Sequence, residues 1–475
     1  MNVERARLHR ALNPRSVAVV GDKGPQYQWL SNLSEFSGNV YSVQLDEKEI
    51  PGIVEKGIQN FSSLNDIPED VDLVICAVPR QVTPFIVADA VKKQAGGMAM
   101  FSSGFVETGE EIGAQLQDQI VSAARAGGLP LVGPNCMGVY NRRLGVKFMQ
   151  GQEKGEGGDL SVISQSGTHG ISLTAGAQAL GIRVTRTISI GNAAVLNEAD
   201  YLEYLRDDPE TPVIVMYLEG VRDGRRFAAL LRDVTRVKPV VIWRGGRTTA
   251  GSRAAQSHTA SLASNDAIWG ALMRQAGAIS ADSVEEALDA AQALVRLPRS
   301  DRRNLALIAM TGGQSVAITD QFARAGFGVP ELSARSYERL SEFFVTIGGS
   351  YRNPFDAAST IGRETDNLAK ILDILAGDPV IEGVAVEMQA RDFDKSTERL
   401  DATIEVLKTY RERTGLPVVT LLPEGGIGAA NPTMAVAARF HVGRAGFAVY
   451  PSFARGAAAL GRVTDYWQWR SEVEA

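Results

Sequence analysis

Short, continuous apolar runs alternate along this chain with segments whose apolar residues recur every three to four positions. A run of about four to eight apolar residues without polar alternation is typical of a strand buried on both faces of a parallel sheet. The intervening periodicity is typical of amphipathic helices. The predicted strands include residues 16–20, 40–45, 71–78, 98–101, 159–163, 211–219, 239–243 and 305–310. The pattern therefore predicts an α/β protein built from doubly wound parallel sheets.

Two polar linkers divide this pattern. Residues 151–158 are dense in glycine, and residues 297–304 are rich in charge. At 475 residues the chain has room for about three domains of roughly 150 residues each. We expect three Rossmann- or flavodoxin-like domains, covering residues 1–150, 151–300 and 301–475.

Composition narrows the classes of function. The net charge of −6 gives no basic surface for a nucleic acid. The first residues lack the apolar core of a signal peptide, and no apolar run approaches the roughly 20 residues that cross a bilayer. The two cysteines, Cys76 and Cys136, form no metal-ligand spacing. We expect a cytoplasmic protein with reduced thiols, no metal site and no membrane association.

Residues 244–264 form the most informative segment of the chain. Glycines, hydroxyl residues and the basic residues Arg244 and Arg247 surround His258, one of only four histidines. This composition suits a loop that carries a phosphate on a histidine, because glycines permit movement while hydroxyls and arginines donate hydrogen bonds. A glycine-rich surface loop with a solvated histidine explains the segment equally well. The remaining histidines show no partner pattern and are interpreted as structural: His9, His169 and His441.

A second candidate is the turn Ser164-Gln-Ser-Gly-Thr168, which lies between a predicted strand and a predicted helix. Free amides and the helix dipole make such a helix start an anion site. Ordinary capping by Ser166 or Thr168 is the alternative. Glu219 ends the next apolar strand, where it could orient an imidazole, although a solvated carboxylate is the commoner case.

Three loops follow predicted strands in the last third of the chain: Thr311-Gly-Gly-Gln-Ser315, Asn353-Pro-Phe-Asp356 and Pro423-Glu-Gly-Gly426. The first is again a strand–glycine–helix turn of the phosphate-binding type. Plain turn chemistry explains each of them as well as ligand contact does.

Five motifs occur in an order that resembles a known family: Gly133-Pro-Asn-Cys-Met-Gly138, Ser164-Gln-Ser-Gly167, Ser189-Ile-Gly-Asn192, Tyr217-Leu-Glu219 and Ser257-His-Thr259. Each motif is weak by itself, but together they resemble the NDP-forming acyl-CoA synthetases, relatives of succinyl-CoA synthetase. The greatest likeness is to the alpha subunit of ADP-forming acetyl-CoA synthetase, over nearly the whole chain.

The resemblance implies a phosphoryl-transfer site. His258 would be phosphorylated during turnover, and Glu219 would hydrogen-bond it. The phosphate would be held by Ser164, Gln165, Ser166, Gly167 and Thr168. Acyl-CoA and phosphate would give acyl phosphate and CoA, after which the phosphoryl group would pass through His258 to a nucleoside diphosphate. Because three domains already fill the chain, nucleotide and Mg²⁺ are expected on a separate ATP-grasp beta subunit, in a hetero-oligomer.

The resemblance also implies that the first domain holds coenzyme A. The residues implied are Gly21, Lys23, Val78, Pro79, Ser103, Gly104, Asn135 and Cys136. The first glycine turn departs from the family pattern, since Asp22 follows Gly21 and the acidic residues Asp46 and Glu47 follow the second strand. The phosphate end of CoA is therefore expected to bind differently or weakly.

Two other classes of function remain open at this point. A CoA-binding sensor or scaffold would keep the fold without turnover, and an acyl- or carbamoyl-transferase would use CoA without a phosphohistidine. The expected substrate is a small carboxylic acid or its acyl-CoA, and no residue pattern identifies the acyl group.

Overall fold

The computed structural model describes residues 5–251, 253, 266–361, 366–390, 397–424 and 432–474. The chain divides into two compact units. The first contains residues 1–178 and 182–287, and the second contains residues 179–181 and 288–475.

The first unit begins with a sheet of six parallel strands in the order β3-β2-β1-β4-β5-β6. The strands are β1 Ser16–Val20, β2 Asn39–Val43, β3 Gln59–Phe61, β4 Leu73–Cys76, β5 Gly97–Met100 and β6 Leu131–Val132. The accompanying helices are α1 Arg5–Leu12, α2 Gln28–Asn32, α3 Ile50–Glu55, α4 Thr83–Lys92 and α5 Glu111–Ala126. This is the Rossmann order, in which the topological switch point lies between the first and fourth strands. Every residue of β1 and β4 is buried, as expected of central strands covered by helices on both faces.

The first unit also contains a second sheet, in the order β12-β11-β10-β8-β9-β7. Its strands are β7 Gly138–Asn141, β8 Leu160–Ser164, β9 Val184–Ser189, β10 Val213–Leu218, β11 Val240–Arg244 and β12 Ile279–Ala281. Its helices are α6 Gly167–Ala179, α7 Glu198–Arg206, α8 Gly224–Thr235 and α9 Asp266–Ala276. Apart from the antiparallel edge strand β7, this is the flavodoxin-like order 2-1-3-4-5, with its switch point between β8 and β10.

The second unit is built on a parallel sheet in the order β14-β13-β15-β16-β17, which is again flavodoxin-like. Its strands are β13 Leu305–Ala309, β14 Phe355–Asp356, β15 Gly383–Glu387, β16 Val418–Leu421 and β17 Ala448–Tyr450. Its helices are α10 Val284–Arg296 (from Leu288 onward), α11 Gly312–Arg324, α12 Ala334–Ser341, α13 Ala358–Ile361, α14 Asp366–Ala376, α15 Glu398–Thr414, α16 Pro432–Arg444 and α17 Phe453–Glu474.

Alternate residues of β13 supply the two cores of the second unit. Ala306 and Ile308 belong to one buried apolar cluster, and Leu305 and Leu307 belong to the other. Because successive side chains of a strand point to opposite faces, both faces of the sheet must be covered. Helix α10 is joined to helix α17 by an ion pair, in which the buried carboxylate of Asp289 lies 2.6 Å from Arg455.

The fold class expected from sequence is confirmed, since three parallel-dominated sheets alternate with helices. The domain boundaries at 150/151 and 300/301 stay a prediction. Within the described ranges, no helix is both long enough and apolar enough to span a bilayer.

Candidate functional site

The switch point of the first sheet brings two predicted CoA segments together. Gly21 follows β1 with φ 82°, a left-handed conformation that favours glycine. A Cβ at Gly21 would lie 2.4 Å from Cγ1 of Val78, which follows β4. A larger residue at position 21 would therefore displace the segment that contains Val78 and Pro79.

The third and fourth predicted CoA segments lie beside the second. Ser102, next to the predicted Ser103, donates its hydroxyl to the backbone carbonyl of Val78 at 2.5 Å. Asn135 has φ 58° and donates its backbone N–H to the carbonyl of Ser102 at 3.0 Å. Gly104 donates its N–H to Glu107 Oε1 at 2.7 Å. These loops therefore meet at the carboxyl edge of the sheet, where doubly wound proteins bind ligands.

The Cys136 side chain does not face this edge. Its thiol is buried, lies 3.4 Å from the carbonyl of Met100, and has a pKa raised by burial to about 12. A ligand at this edge would meet the backbone around Cys136 rather than the sulfur.

The motif Ser189-Ile-Gly-Asn192 links the CoA segment to the Ser164 turn. The N–H of Ile190 donates to the carbonyl of Ser164 at 2.8 Å, and the N–H of Asn192 donates to the carbonyl of Pro134 at 3.0 Å. In addition, the Ser189 hydroxyl accepts from the N–H of Met137 at 3.0 Å. The first two sheets thus present their predicted ligand segments side by side within one unit.

The Ser164 turn opens helix α6 at the switch point of the second sheet. Ser164 ends β8 and donates its hydroxyl to the carbonyl of Ser166 at 2.6 Å. Helix α6 begins at Gly167, where a Cβ would lie 2.8 Å from Cγ of Met137. Thr168 is exposed at the helix start. The turn therefore presents the beginning of a 13-residue helix, whose first amides have no partner in the helix itself.

Gln165 binds the main chain of the neighbouring loop. Its Oε1 accepts from the N–H groups of Glu219 and Gly220, and its Nε2 donates to the carbonyl of Gly220 at 2.8 Å. This side chain is buried, so the three bonds are shielded from water. The sequence predicts that Gln165 lies in the turn, but it does not reveal this link, because the link depends on the pairing of β8 with β10.

Glu219 lies half-buried beside the turn, and the Tyr217 hydroxyl donates to its Oε1 at 3.2 Å. Burial, reinforced by the nearby Glu219 charge, raises the pKa of Tyr217, which keeps the phenol protonated as a donor. The carboxylate is therefore oriented from its own strand. His258, its expected partner, lies outside the described residues.

Three rings lie next to the turn. The His169 ring centroid is 4.3 Å from that of Tyr217 and 4.4 Å from that of Trp243, and the latter two are 4.5 Å apart. Tyr217 pairs in register with Trp243 on one side and Ser164 on the other, so these side chains share one face of the sheet. His169 is thus adjacent to the candidate phosphate site. The sequence shows only that it follows Thr168, and gives no sign of its contacts with Tyr217 and Trp243.

Arg244 and Arg247, at the start of the 244–264 segment, are paired with Asp266. Arg244 Nη1 lies 2.9 Å from Asp266 Oδ1, and Arg247 Nε lies 3.2 Å from the same oxygen. Arg247 holds the pKa of Asp266 below its ordinary value. Arg244 also stacks over Trp269 at 5.3 Å. Asp266 therefore anchors the start of α9 to the end of β11.

The switch point of the second unit repeats the strand–turn–helix arrangement. The Thr311 hydroxyl caps α11 by accepting from the N–H of Gln314 at 3.2 Å. Glu387, at the end of β15, accepts from the N–H of Met310 at 2.9 Å and from Gln314 Nε2 at 2.5 Å. Burial raises the pKa of Glu387 to about 7. Asp356 ends β14 beside this turn, and residues 425–426 of the predicted Pro423 loop lie outside the described ranges.

Metal binding was not expected from the sequence. Among the residues that the structure describes, no three histidine, cysteine, aspartate or glutamate side chains group as metal ligands.

Comparison with known proteins identifies the family. Residues 15–142 match the CoA binding domain, and residues 157–294 match the succinyl-CoA ligase like flavodoxin domain. The chain is 33% identical over 424 residues to the acetate–CoA ligase [ADP-forming] II subunit alpha of Pyrococcus furiosus, covering 87% of this chain and 89% of that subunit.

A longer relative and a solved structure support the same family. The acetate–CoA ligase [ADP-forming] I of Archaeoglobus fulgidus is 34% identical over 82% of this chain, and the chain spans only 56% of that protein's length. A structure of dinucleotide forming acetyl-coenzyme A synthetase 1 from Ca. Korarchaeum cryptofilum, in complex with phosphate and ADP, matches with a TM-score of 0.83 and 27% identity. That match covers 100% of this chain and 99% of the solved chain. The chain therefore belongs to the NDP-forming acyl-CoA synthetases, a family of CoA ligases, and corresponds to their alpha-type subunit.

Proposed function

We propose that this chain is the alpha-type subunit of an NDP-forming acid–CoA ligase that works through acyl phosphate and phosphorylated His258. A phosphate oxygen attacks the thioester carbonyl of acyl-CoA, the C–S bond breaks, and the CoA thiolate leaves and is protonated. The His258 imidazole then attacks phosphorus and releases the carboxylate. A nucleoside diphosphate finally takes the phosphoryl group, and each step is reversible.

The adjacency of two predicted ligand sites within one unit is the observation that carries this proposal. Ile190 and Asn192 join the Ser164 turn to the segment before Asn135 by backbone hydrogen bonds of 2.8 and 3.0 Å. A thioester held along the first site would lie beside a phosphate held at the start of α6. Proximity of this kind replaces an encounter between two free reactants by reaction within one complex.

The five predicted phosphate-site residues divide three tasks between them in this proposal. The N-terminal amides of α6, at Gly167 and Thr168, bind the phosphate oxygens. Ser164 and Ser166 hold the turn through the 2.6 Å hydrogen bond between them. Gln165 fixes Glu219 next to the turn, and Glu219 stabilises the positive charge that the His258 ring acquires when it is phosphorylated.

A partner subunit completes the cycle. Relatives of this chain are named as alpha subunits, which implies a second subunit. We place the nucleoside diphosphate and Mg²⁺ on that partner, as an ATP-grasp beta subunit in a hetero-oligomer. The acid is a small carboxylic acid, and the buried thiols of Cys76 and Cys136 fit the reducing cytoplasm.

The decisive experiment incubates the purified chain with acyl phosphates carrying ³²P. We expect acid-labile, base-stable label on the protein that disappears in His258→Ala. The matched control is His441→Ala, which removes a histidine paired with Asp401 in the second unit and should leave the label intact.

Other outcomes would change the assignment. If no acyl phosphate labels the chain while CoA still binds, the protein is a CoA-binding sensor or scaffold. If no acyl phosphate labels the wild-type chain while both it and His258→Ala transfer acyl groups to CoA at the same rate, the protein is a transferase without a phosphohistidine. With the beta subunit and ADP added, labelled wild-type protein should form ATP.

A further inference from the structure

We propose that the first domain binds the nucleotide end of coenzyme A without recognising its ribose 3′-phosphate, so that dephospho-CoA binds at least as tightly as CoA. This inference rests on the proposed function, because it concerns the same CoA site. It goes further by assigning a specificity to the edge formed by the first glycine loop and the acidic segment after β2.

Carboxylates accept from amides of the first loop, so those amides are not available to a ribose phosphate at this edge. Asp22 Oδ1 accepts from the N–H of Lys23 at 3.0 Å, and its Oδ2 accepts from the N–H of Leu30 at 2.8 Å. Glu49 Oε2 accepts from the N–H of Gly24 at 3.2 Å. Asp22 is buried, so its carboxylate is fixed in this position rather than exchanging with a ligand.

Helix α2 does not restore an anion site. It is only five residues long, and the N–H of its Leu30 is the group that Asp22 accepts from. The N–H of Gly21 donates to the carbonyl of Val43 at 3.0 Å. In the first loop and helix, four backbone donors are therefore committed to protein oxygens: those of Gly21, Lys23, Gly24 and Leu30.

The segment after β2 adds further acidic groups to the same edge. Gln44 Nε2 donates to the carbonyl of Asp22 at 2.8 Å, and Gln44 Oε1 accepts from the N–H groups of Leu45 and Asp46 at 2.9 and 3.0 Å. These bonds fix the segment against the first loop. In Rossmann domains that bind dinucleotides, an acidic residue after the second strand binds the ribose 2′-hydroxyl, and an arginine there accommodates a 2′-phosphate. By the same reasoning, an acidic segment at this place favours ribose hydroxyls over the 3′-phosphate of CoA.

The net negative charge of the two segments also disfavours a ribose phosphate. Residues 21–24 and 44–49 hold four carboxylates but only two lysines. The carboxylates are Asp22, Asp46, Glu47 and Glu49, and the lysines are Lys23 and Lys48. A ribose phosphate carries a charge of about −1.5 to −2 at neutral pH, so this edge repels it while leaving ribose hydroxyls as acceptable partners.

Isothermal titration of the full chain with CoA and with dephospho-CoA tests the proposal. We expect the Kd of dephospho-CoA to be equal to that of CoA or lower by up to about tenfold. The difference should shrink as salt is raised, because screening weakens repulsion between exposed charges. CoA binding more tightly than dephospho-CoA by more than about threefold would overturn the proposal.

A charge-reversal pair provides the second measurement. Glu47→Lys places a cation beside the ribose, and Asp118→Lys makes the same charge change on the exposed face of α5. We expect Glu47→Lys to tighten CoA at least about threefold more than dephospho-CoA, whereas Asp118→Lys changes both alike. Equal effects of the two variants would contradict the assignment. Binding of neither nucleotide to wild-type protein would refute CoA binding itself and, with it, this inference.

Discussion

Replacing Glu387 by glutamine should stabilise the protein above neutral pH. The carboxylate is only 5% exposed, and burial raises its pKa from 4.5 to about 7. The folded state therefore binds more protons than the unfolded state between these values, so stability falls as pH rises from about 4.5 to about 7. At 1.36 kcal/mol per pKa unit, the difference corresponds to about 3 kcal/mol lost above pH 7.

Glutamine can keep the local hydrogen bonds. Its carbonyl can accept from the N–H of Met310, as Glu387 Oε2 does at 2.9 Å. Its amide can donate to Gln314 once that side chain turns its oxygen toward position 387, and the Thr311 hydroxyl, 2.9 Å from Gln314 Oε1, can act as acceptor instead of donor. The substitution thus removes a buried charge without leaving a polar group unpaired.

Thermal unfolding from pH 5 to pH 8 is the appropriate assay. At about 2–4 °C per kcal/mol for a unit of this size, Glu387→Gln should raise the melting temperature by about 6–12 °C at pH 8 and change it little at pH 5. Asp356 at the neighbouring strand end also has its pKa raised by burial, so the difference between variant and wild type isolates Glu387. Glu412→Gln, an exposed residue on α15, is the control. A variant less stable than wild type at pH 8 would refute the reasoning.

Three further predictions concern the first unit. Gln165→Ala leaves backbone groups of Glu219 and Gly220 unpaired, so we expect a loss of about 3 kcal/mol in unfolding free energy and slower labelling of His258. The control Gln115→Ala, at an exposed position, should change neither, and a wild-type labelling rate in Gln165→Ala would contradict the linking role. Asp208→Asn removes the carboxylate that lies 2.5 Å from the buried Arg186 and leaves the guanidinium with Glu210 at 2.8 Å, so we expect a loss of about 2 kcal/mol in unfolding free energy. Denaturant titration measures this loss, and the double variant with Arg186→Met should recover part of it. Burial raises the pKa of Cys76 to about 11 and that of Cys136 to about 12. A disulfide reagent at pH 8 should therefore modify less than about one-tenth of a thiol per folded protein and both thiols after denaturation. Rapid reaction of Cys136 in the folded protein would show that its segment opens.

The sequence predicted the central strands well and the edges poorly. The run Ser16–Val20 coincides with β1, because a strand covered on both faces must be apolar throughout. Strands β3 and β6 are only three and two residues long and carry no periodicity of their own. Strand β7 forms the antiparallel edge of the second sheet, which follows from its pairing with β9 rather than from its composition.

The sequence predicts which candidate-site residues lie close together only where the sheet topology dictates it. Val78, Ser103 and Asn135 follow strands or lie at one sheet edge, so the rule that ligands bind at carboxyl ends brings them together. The Gln165 link, the pairing of Arg244 with Asp266 and the carboxylates in the first loop depend on tertiary contacts that no local pattern encodes. The roles of His258 and Glu219 stay predictions.

The side chain of Gln165 holds the loop at positions 219 and 220 independently of the side chain proposed to act there. All three of its hydrogen bonds join main-chain atoms of positions 219 and 220, and none depends on the side chain found there. Evolution could therefore exchange the carboxylate at position 219 without loosening the loop that presents it, whereas a change at position 165 would disturb the loop whatever side chain it carried.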